Sequence, residues 1–191
     1  MTNNIIERHP AIFSCCKLFM GIALIVIVLT SCKNSKSGGN NSNNSDGFME
    51  AKIGGVKMQF SNNLSAQLSS DKTHIVVGGH LTSDPLSDSY DFEIFHAPAV
   101  VTTGTYGVPG TPNMITRYAH QNVVNGKVTG TTIFNASTGS GGTTSNAGTY
   151  TLVVTYIDDK KVAGTFTGHL QLLGGSSFVD VTEGSFSVPL H

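Results

Sequence analysis

From residue 48 onward apolar and polar side chains alternate in twos, and no ten-residue stretch carries a helical period. Tyr90, Phe92 and Ile94 alternate with Asp91 and Glu93. Tyr150, Leu152, Val154 and Tyr156 alternate with Thr149, Thr151 and Thr155. Val162, Phe166, Leu170 and Leu172 share a third face, opposite Lys161, Thr165, Thr167, His169 and Gln171. Successive strand side chains point to opposite sides, so each of these runs has one face for a core and one for water. That is the pattern of antiparallel sheet, because strands buried on both faces read as unbroken apolar runs. The expected strands lie near 48–53, 56–60, 73–81, 89–96, 114–120, 127–134, 149–157, 160–171 and 178–188. At this spacing about eight or nine strands form a single antiparallel β-sandwich or partly open barrel.

Turn chemistry divides the strands. Asn125-Gly126 sits between Val123-Val124 and Lys127-Val128, the strongest short hairpin signal in the chain. Asp158-Asp159 marks a second hairpin, while Asp84-Pro85 and the run 137–148 read as loops. Four segments share Gly, a hydroxyl residue, then an aromatic: Gly104-Thr105-Tyr106, Gly148-Thr149-Tyr150, Gly164-Thr165-Phe166 and Gly184-Ser185-Phe186. Gly permits a bulge or a close strand approach, and the aromatic two residues on fills the core. VTTGTYGVPGTP (101–112) reads as a rigid loop.

Only 12% of residues are charged, because threonine supplies polarity on the wet faces. A net charge of −1 leaves no basic footprint for nucleic acid. Hydrophobic content of 39% excludes a wholly disordered chain, and three Cys exclude a dense disulfide scaffold.

All three Cys lie early, at Cys15, Cys16 and Cys32. Residues 18–29, LFMGIALIVIVL, follow Arg8 and Lys17. As a helix they would cover about 18 Å, short of the roughly 30 Å hydrocarbon core. Basic residues, a short apolar segment and small residues make a secretory signal peptide. Leu29-Thr30-Ser31-Cys32 resembles the lipobox of bacterial lipoproteins. The resemblance implies cleavage between Ser31 and Cys32, a diacylglycerol on Cys32 Sγ and an acylated new N-terminus. No Cys follows Cys32, so the remaining domain has no internal disulfide. The expected organisation is a signal peptide over 1–31, a lipidated N-terminus and Asn/Ser/Gly tether over 32–47, and a β-sandwich domain over 48–191. KNSKSGGNNSNNSDG (33–47) has no apolar side chain, and fifteen residues of that composition span roughly 20 Å.

The order AKIGGV (51–56), GTY, VAGTFTGHL and a closing VTEGSFSVPL resembles small β-rich lipoproteins of unknown function, frequent in Bacteroidetes-type bacteria. The likeness covers roughly residues 48–190 and implies a fold and a location, with no catalytic residues to carry over.

Chemistry-bearing constellations are sparse. His74 and His80 share a strand face, but six residues at about 3.3 Å separate them by some 20 Å. Asp84, Asp88 and Asp91 are the best calcium candidates, though they lack DxDxDG spacing. Asp91 and Glu93 fall about 7 Å apart, within the range for glycoside hydrolysis, as carboxylates on any alternating strand do. Gly104, Gly107 and Gly110 lack the helix and Lys that phosphate binding needs. Tyr106 and Tyr118, with Tyr90, are candidates to stack on a sugar or peptide; the plainer alternative is that such rings pack the loop and the core.

The expected function is a lipid-anchored envelope protein acting as a non-enzymatic binding or interaction module, with no cofactor. Its membrane contact is the N-terminal lipid, and its partner a glycan, a peptide or an envelope protein. The resemblance to bacterial lipoproteins implies a location. Lys33 follows Cys32 where an Asp accompanies inner-membrane retention, and the tether is poor in the acidic residues that accompany surface export. The expected place is therefore the outer membrane with a periplasm-facing domain. The alternatives are a structural accessory subunit of an outer-membrane complex, or a hydrolase with a loop-built site.

Overall fold

Eleven strands make up most of the described chain, residues 47–139 and 146–191 of a computed structural model. They are β1 (Phe48–Ile53), β2 (Val56–Gln59), β3 (Asn62–Leu68), β4 (His74–His80), β5 (Ser89–Phe95) and β6 (Gly104–Val108). Then follow β7 (Asn113–Val124), β8 (Lys127–Ser137), β9 (Thr149–Ile157), β10 (Lys161–Leu172) and β11 (Phe178–Pro189). All belong to one antiparallel sheet, ordered β2-β1-β11-β10-β8-β7-β5-β4-β3, with β9 on β10 and β6 on β9. The fold is therefore all-β, as the alternation predicts, and the sheet does not close into a barrel. The described residues fall in the compact unit that spans 41–191.

The break in the sheet lies along β10. Its residues Val162 to His169 pair with β9, whereas only Gln171 and Leu172 reach β8, at Asn135 and Phe134. Past that corner the β8-β7-β5-β4-β3 half folds over the β6-β9-β10-β11-β1-β2 half. Rings cross the gap between them. Tyr90 of β5 stacks on Phe166 of β10 at 5.1 Å, and Phe92 meets Phe186 of β11 edge-on at 5.1 Å. Such pairs add about 0.5–1.5 kcal/mol each beyond area burial. At the far edge one parallel bridge, Ala66 to Leu190, ties β3 back to the end of β11.

Asn125 and Gly126 take φ of 51° and 74°, the double left-handed turn whose twist matches its flanking strands. At the second hairpin, Asp158 Oδ1 accepts from the backbone N–H of Lys160 and of Lys161, each at 2.8 Å. Both expected turns are thus present. Two strands were not expected. β3 reads NNLSAQL, poor in β-formers, and β6 lies inside the segment read as a rigid loop. Tyr156 also departs from its expected inward face and is exposed. The β9–β10 register slips between Ala163 and Gly164, so Thr155 is an extra residue and the alternation beyond it inverts.

The two ends of the folded sheet differ. At one end gather the β3–β4 turn, the 96–103 loop, the β9–β10 turn and the chain's last residues. His96 N donates to Thr73 O, Val101 N to Lys72 O, and Leu190 N to Lys160 O. The chain also enters the sheet here, since Phe48 pairs with Ser187 and Gly47 lies against Pro189. At the opposite end lie the 81–88 loop, the β10–β11 turn and the tip of the β7–β8 hairpin. We refer to them as the N-terminal end and the hairpin end.

Candidate functional site

β7 and β8 outrun their neighbours. The last β5–β7 rung is Ser89–Ala119, and β8 meets β10 only at Phe134 and Asn135. Between these limits the hairpin has no sheet partner but itself among the described residues, and residues 122–131 are all exposed. Five residues beyond Ala119 at about 3.3 Å each carry Val124 roughly 16 Å past the sheet. A free two-stranded ribbon is marginal in water, and side chains brace this one. Asn122 Nδ2 donates to Thr132 Oγ1 at 3.0 Å, and Thr131 Oγ1 donates to Gln121 Oε1 at 2.8 Å.

The composition of this arm is unusual for a free edge. Lys127 is its only charge, and it holds no Pro, the residues by which exposed strands normally block association. Val123 and Val124 are 59% and 56% exposed, and Val128, the cross-strand partner of Val123, is 39% exposed. Leu173, whose N–H donates to Ile133 O at the arm's base, is 60% exposed. Apolar side chains gathered in this way on a surface mark an interaction site.

Asp88 pins the root. Where β5 has ended, the next inward N–H of β7 is that of Gln121, and Asp88 Oδ1 accepts it at 2.8 Å. Asp88 Oδ2 accepts from Tyr118 OH at 2.7 Å and lies 2.9 Å from His120 Nδ1. Burial by itself raises the Asp88 carboxyl. The Gln121 N–H, the His120 contact and the Tyr118 hydroxyl outweigh it and leave the group below its ordinary value. Tyr118 moves the other way, raised by burial first and then by the Asp88 charge. Chemically the arrangement holds a carboxylate ionised and a half-exposed imidazole in one orientation. Among the described residues no Ser or Thr hydroxyl bonds to His120, so no nucleophile is paired with it.

A second polar row crosses the outer face of β5, β7 and β8, where Asp91 pairs with Arg117 and Arg117 with Asn135. Arg117 Nε donates to Asp91 Oδ1 at 2.8 Å, and its other arm binds Glu93 Oε1. Burial pushes the Asp91 carboxyl up to about 6, against the pull of Arg117, and Glu93 adds to the rise. The strand spacing of Asp91 and Glu93 thus serves one guanidinium that bridges them.

The other residues singled out in the sequence are placed as follows. Ser31 and Cys32 lie outside the described residues. Tyr106 and Tyr118 are buried, at 4% exposure each. Tyr106 donates to Thr102 O at 2.7 Å and accepts from Thr102 N, so it packs its own loop and offers no face for stacking. Asp84, Asp88 and Asp91 do not converge: Asp84 takes the Leu86 N–H, and the other two are engaged as above. Among the described residues no three His, Cys, Asp or Glu side chains gather as a metal set. A groove of about 490 Å³ crosses the outer face of β9 to β11 over Thr151, Thr165, Thr167 and Ser185, without Tyr106 or Tyr118 in its lining.

The sequence marks Asp88 and Tyr118 of the root for other roles, as calcium and stacking candidates, and Asn125-Gly126 as a hairpin turn. It marks neither His120 as their partner nor the projecting arm as a contact element. The signal available was the stretch Gln121 to Thr132, which offers no apolar face large enough for a core yet keeps three valines around its turn. No family model, curated protein or solved structure matches this chain.

Proposed function

We propose that this protein is a lipid-anchored envelope protein that works as a non-enzymatic interaction module, with the β7–β8 arm as its contact element. The observation that carries the reading is the arm itself: a braced, nearly uncharged ribbon with exposed Val123, Val124 and Val128, at the end opposite the point where the chain enters the sheet. The linker from Cys32 joins the sheet at the N-terminal end, so the arm lies at the end opposite that junction. An envelope protein, or an extended peptide pairing with the free edges of the ribbon, suits this element better than a glycan. Strand addition supplies backbone hydrogen bonds, and the valines supply apolar contact. The outer membrane, with the domain facing the periplasm, remains our assignment of place, and a docking subunit of a larger complex is a special case of the same reading.

The test uses the full lipidated chain in cells. A photocrosslinking residue replaces Val124 in one strain and Thr165, on the sheet's outer face, in another. The expected result is a discrete adduct from position 124 that disappears when Val123 and Val128 are both changed to Thr. Thr keeps the β-branch and these sites are exposed, so stability should move by less than about 0.5 kcal/mol. Equal labelling from 124 and 165, or an adduct indifferent to the two Thr substitutions, overturns the arm as contact element. The anchor has its own check: Cys32→Ala should release the protein from membranes and remove the lipid mass.

A further inference from the structure

The N-terminal end carries a feature that the arm does not explain. Ala97, Pro98, Ala99 and Val100 are four consecutive apolar residues, all exposed, on the loop between β5 and β6. A run of that length on a surface is an error of patterning unless it has a use. The loop is held in place. His96 N and Val101 N donate to Thr73 O and Lys72 O on the neighbouring turn, and the Val101 side chain is buried beneath it. Phe48 and Tyr156, 40% and 46% exposed, also lie at this end of the sheet. Around them stand exposed Lys72, Lys160 and Lys161, with Asp71, Asp158 and Asp159 in equal number. Lys72 Nζ meets Asp159 at 2.6 Å, and the Tyr156 hydroxyl donates to Asp158 at 2.6 Å.

We infer that this end, led by the 97–100 loop, docks on the headgroup layer of the bilayer that holds the protein's own lipid. The inference rests on the lipid-anchor reading above. The length of chain before the sheet, and the place where it arrives, point to the bilayer as the occupant. A segment of fifteen residues with the composition of 33–47 spans roughly 20 Å. The reach of β7 from Asn113 to Val124 is roughly 35–40 Å at about 3.3 Å per residue. The end that receives the linker at Gly47 therefore meets the bilayer before the arm does. The chemistry fits such a surface. A small apolar loop enters the interfacial region, the aromatic Tyr156 sits at headgroup level, and lysines keep their ammonium groups in water. Because the lysines and aspartates balance, apolar contact holds the loop in place and charge attraction adds little.

The chain has no Trp, so one introduced indole reports one place. The lipidated full-length protein is reconstituted in phosphatidylethanolamine–phosphatidylglycerol vesicles containing brominated phosphatidylcholine. Variants are Val100→Trp, Ala99→Trp as a second reporter on the loop, and Val124→Trp at the arm tip. The expected result is a blue shift and loss of emission for both loop reporters, retained at high salt, with Val124→Trp unshifted and unquenched. Val100→Asp in the Ala99→Trp protein should abolish the quenching while the protein still floats with vesicles. If the protein floats but neither loop reporter is quenched, or if Val124→Trp is quenched instead, docking by this end is overturned and the anchor stands. If the protein carries no lipid and does not float, the anchor reading falls and takes this inference with it.

Discussion

A methyl group has no room at Gly164: built there, it would lie 2.1 Å from Val153 O and 2.9 Å from the Phe186 ring. Gly184 and Gly148 are similarly enclosed, with Phe166 and the Asn135 carbonyl against them. Two residues after each glycine comes an aromatic, and Tyr150, Phe166 and Phe186 are all buried to 2% exposure. At Gly164 and Gly184 the bare backbone lets a ring from the adjoining strand lie close against it, whereas Gly148 faces the Asn135 carbonyl and Gly104 has nothing within 4 Å. Gly164→Ala should cost about 2–3 kcal/mol in urea unfolding, since backbone and a packed ring must both shift. Gly130→Ala, on the arm with nothing nearer than 3.8 Å, should be neutral or stabilising by up to about 0.5 kcal/mol. Asp88 is a different kind of special residue. Its folded carboxyl lies below the unfolded value near 3.8, so it adds stability above that pH, and the contribution is lost as pH falls through the folded value. Asp88→Asn should therefore cost about 1–2 kcal/mol at neutral pH, with the difference vanishing in acid. It should also speed amide exchange at Gln121 and Asn122.

At the scale of elements, alternation located strands wherever one face was strongly apolar and misjudged those where it was not. β3 buries Leu64 and Ala66 between polar residues, too little contrast to read, and becomes a strand because β4 offers it an edge. β6 was hidden by its two glycines and by Pro109 and Pro112 just after it. It forms because Tyr106 and Val108 have room in the core and β9 supplies hydrogen-bonding partners. Tyr156 shows the opposite failure, a strand read correctly whose phase is inverted by a one-residue bulge. The row Asp91–Arg117–Asn135 offers a test of how charge is held between strands. The folded Asp91 carboxyl near 6 lies above the unfolded value of 3.8. Its favourable contribution is complete below about pH 4 and lost as pH rises through 6. Asp91→Asn mimics the neutral group. Denaturant melts should find the balance between variant and parent shifting towards the variant as pH rises from about 4 to 7, because only the parent then carries the carboxylate charge. A pH-independent difference would overturn the raised carboxyl.

The described domain is a sheet folded on itself that stops short of closing. The seam at its far edge is slight: the Ala66–Leu190 bridge, with His191 N donating to Ala66 O at 3.1 Å. Removing Leu190 and His191 should cost about 1–2 kcal/mol and lower Tm by about 3–6 °C. Faster amide exchange should appear first in β3, and unchanged exchange there would mean that the seam contributes nothing. The sequence by itself determined the strand class, both hairpin turns and the inward residues Tyr90, Phe92, Ile94, Tyr150, Leu152, Val154, Val162, Phe166 and Leu170, because alternation, left-handed turn residues and ring-bearing triplets are local patterns that any fold of this chain must satisfy. It also carries the N-terminal pattern from which lipidation of Cys32 is proposed. Only the tertiary structure decided which strands outrun their neighbours, and hence that Val123, Val124 and Val128 stand in water. It alone buried Tyr106 and Tyr118, drew Asp88, Tyr118 and His120 together, and set the 97–100 loop beside the start of the sheet. These depend on register between strands far apart in the chain, where a one-residue shift exchanges core for solvent, and no local pattern records that choice.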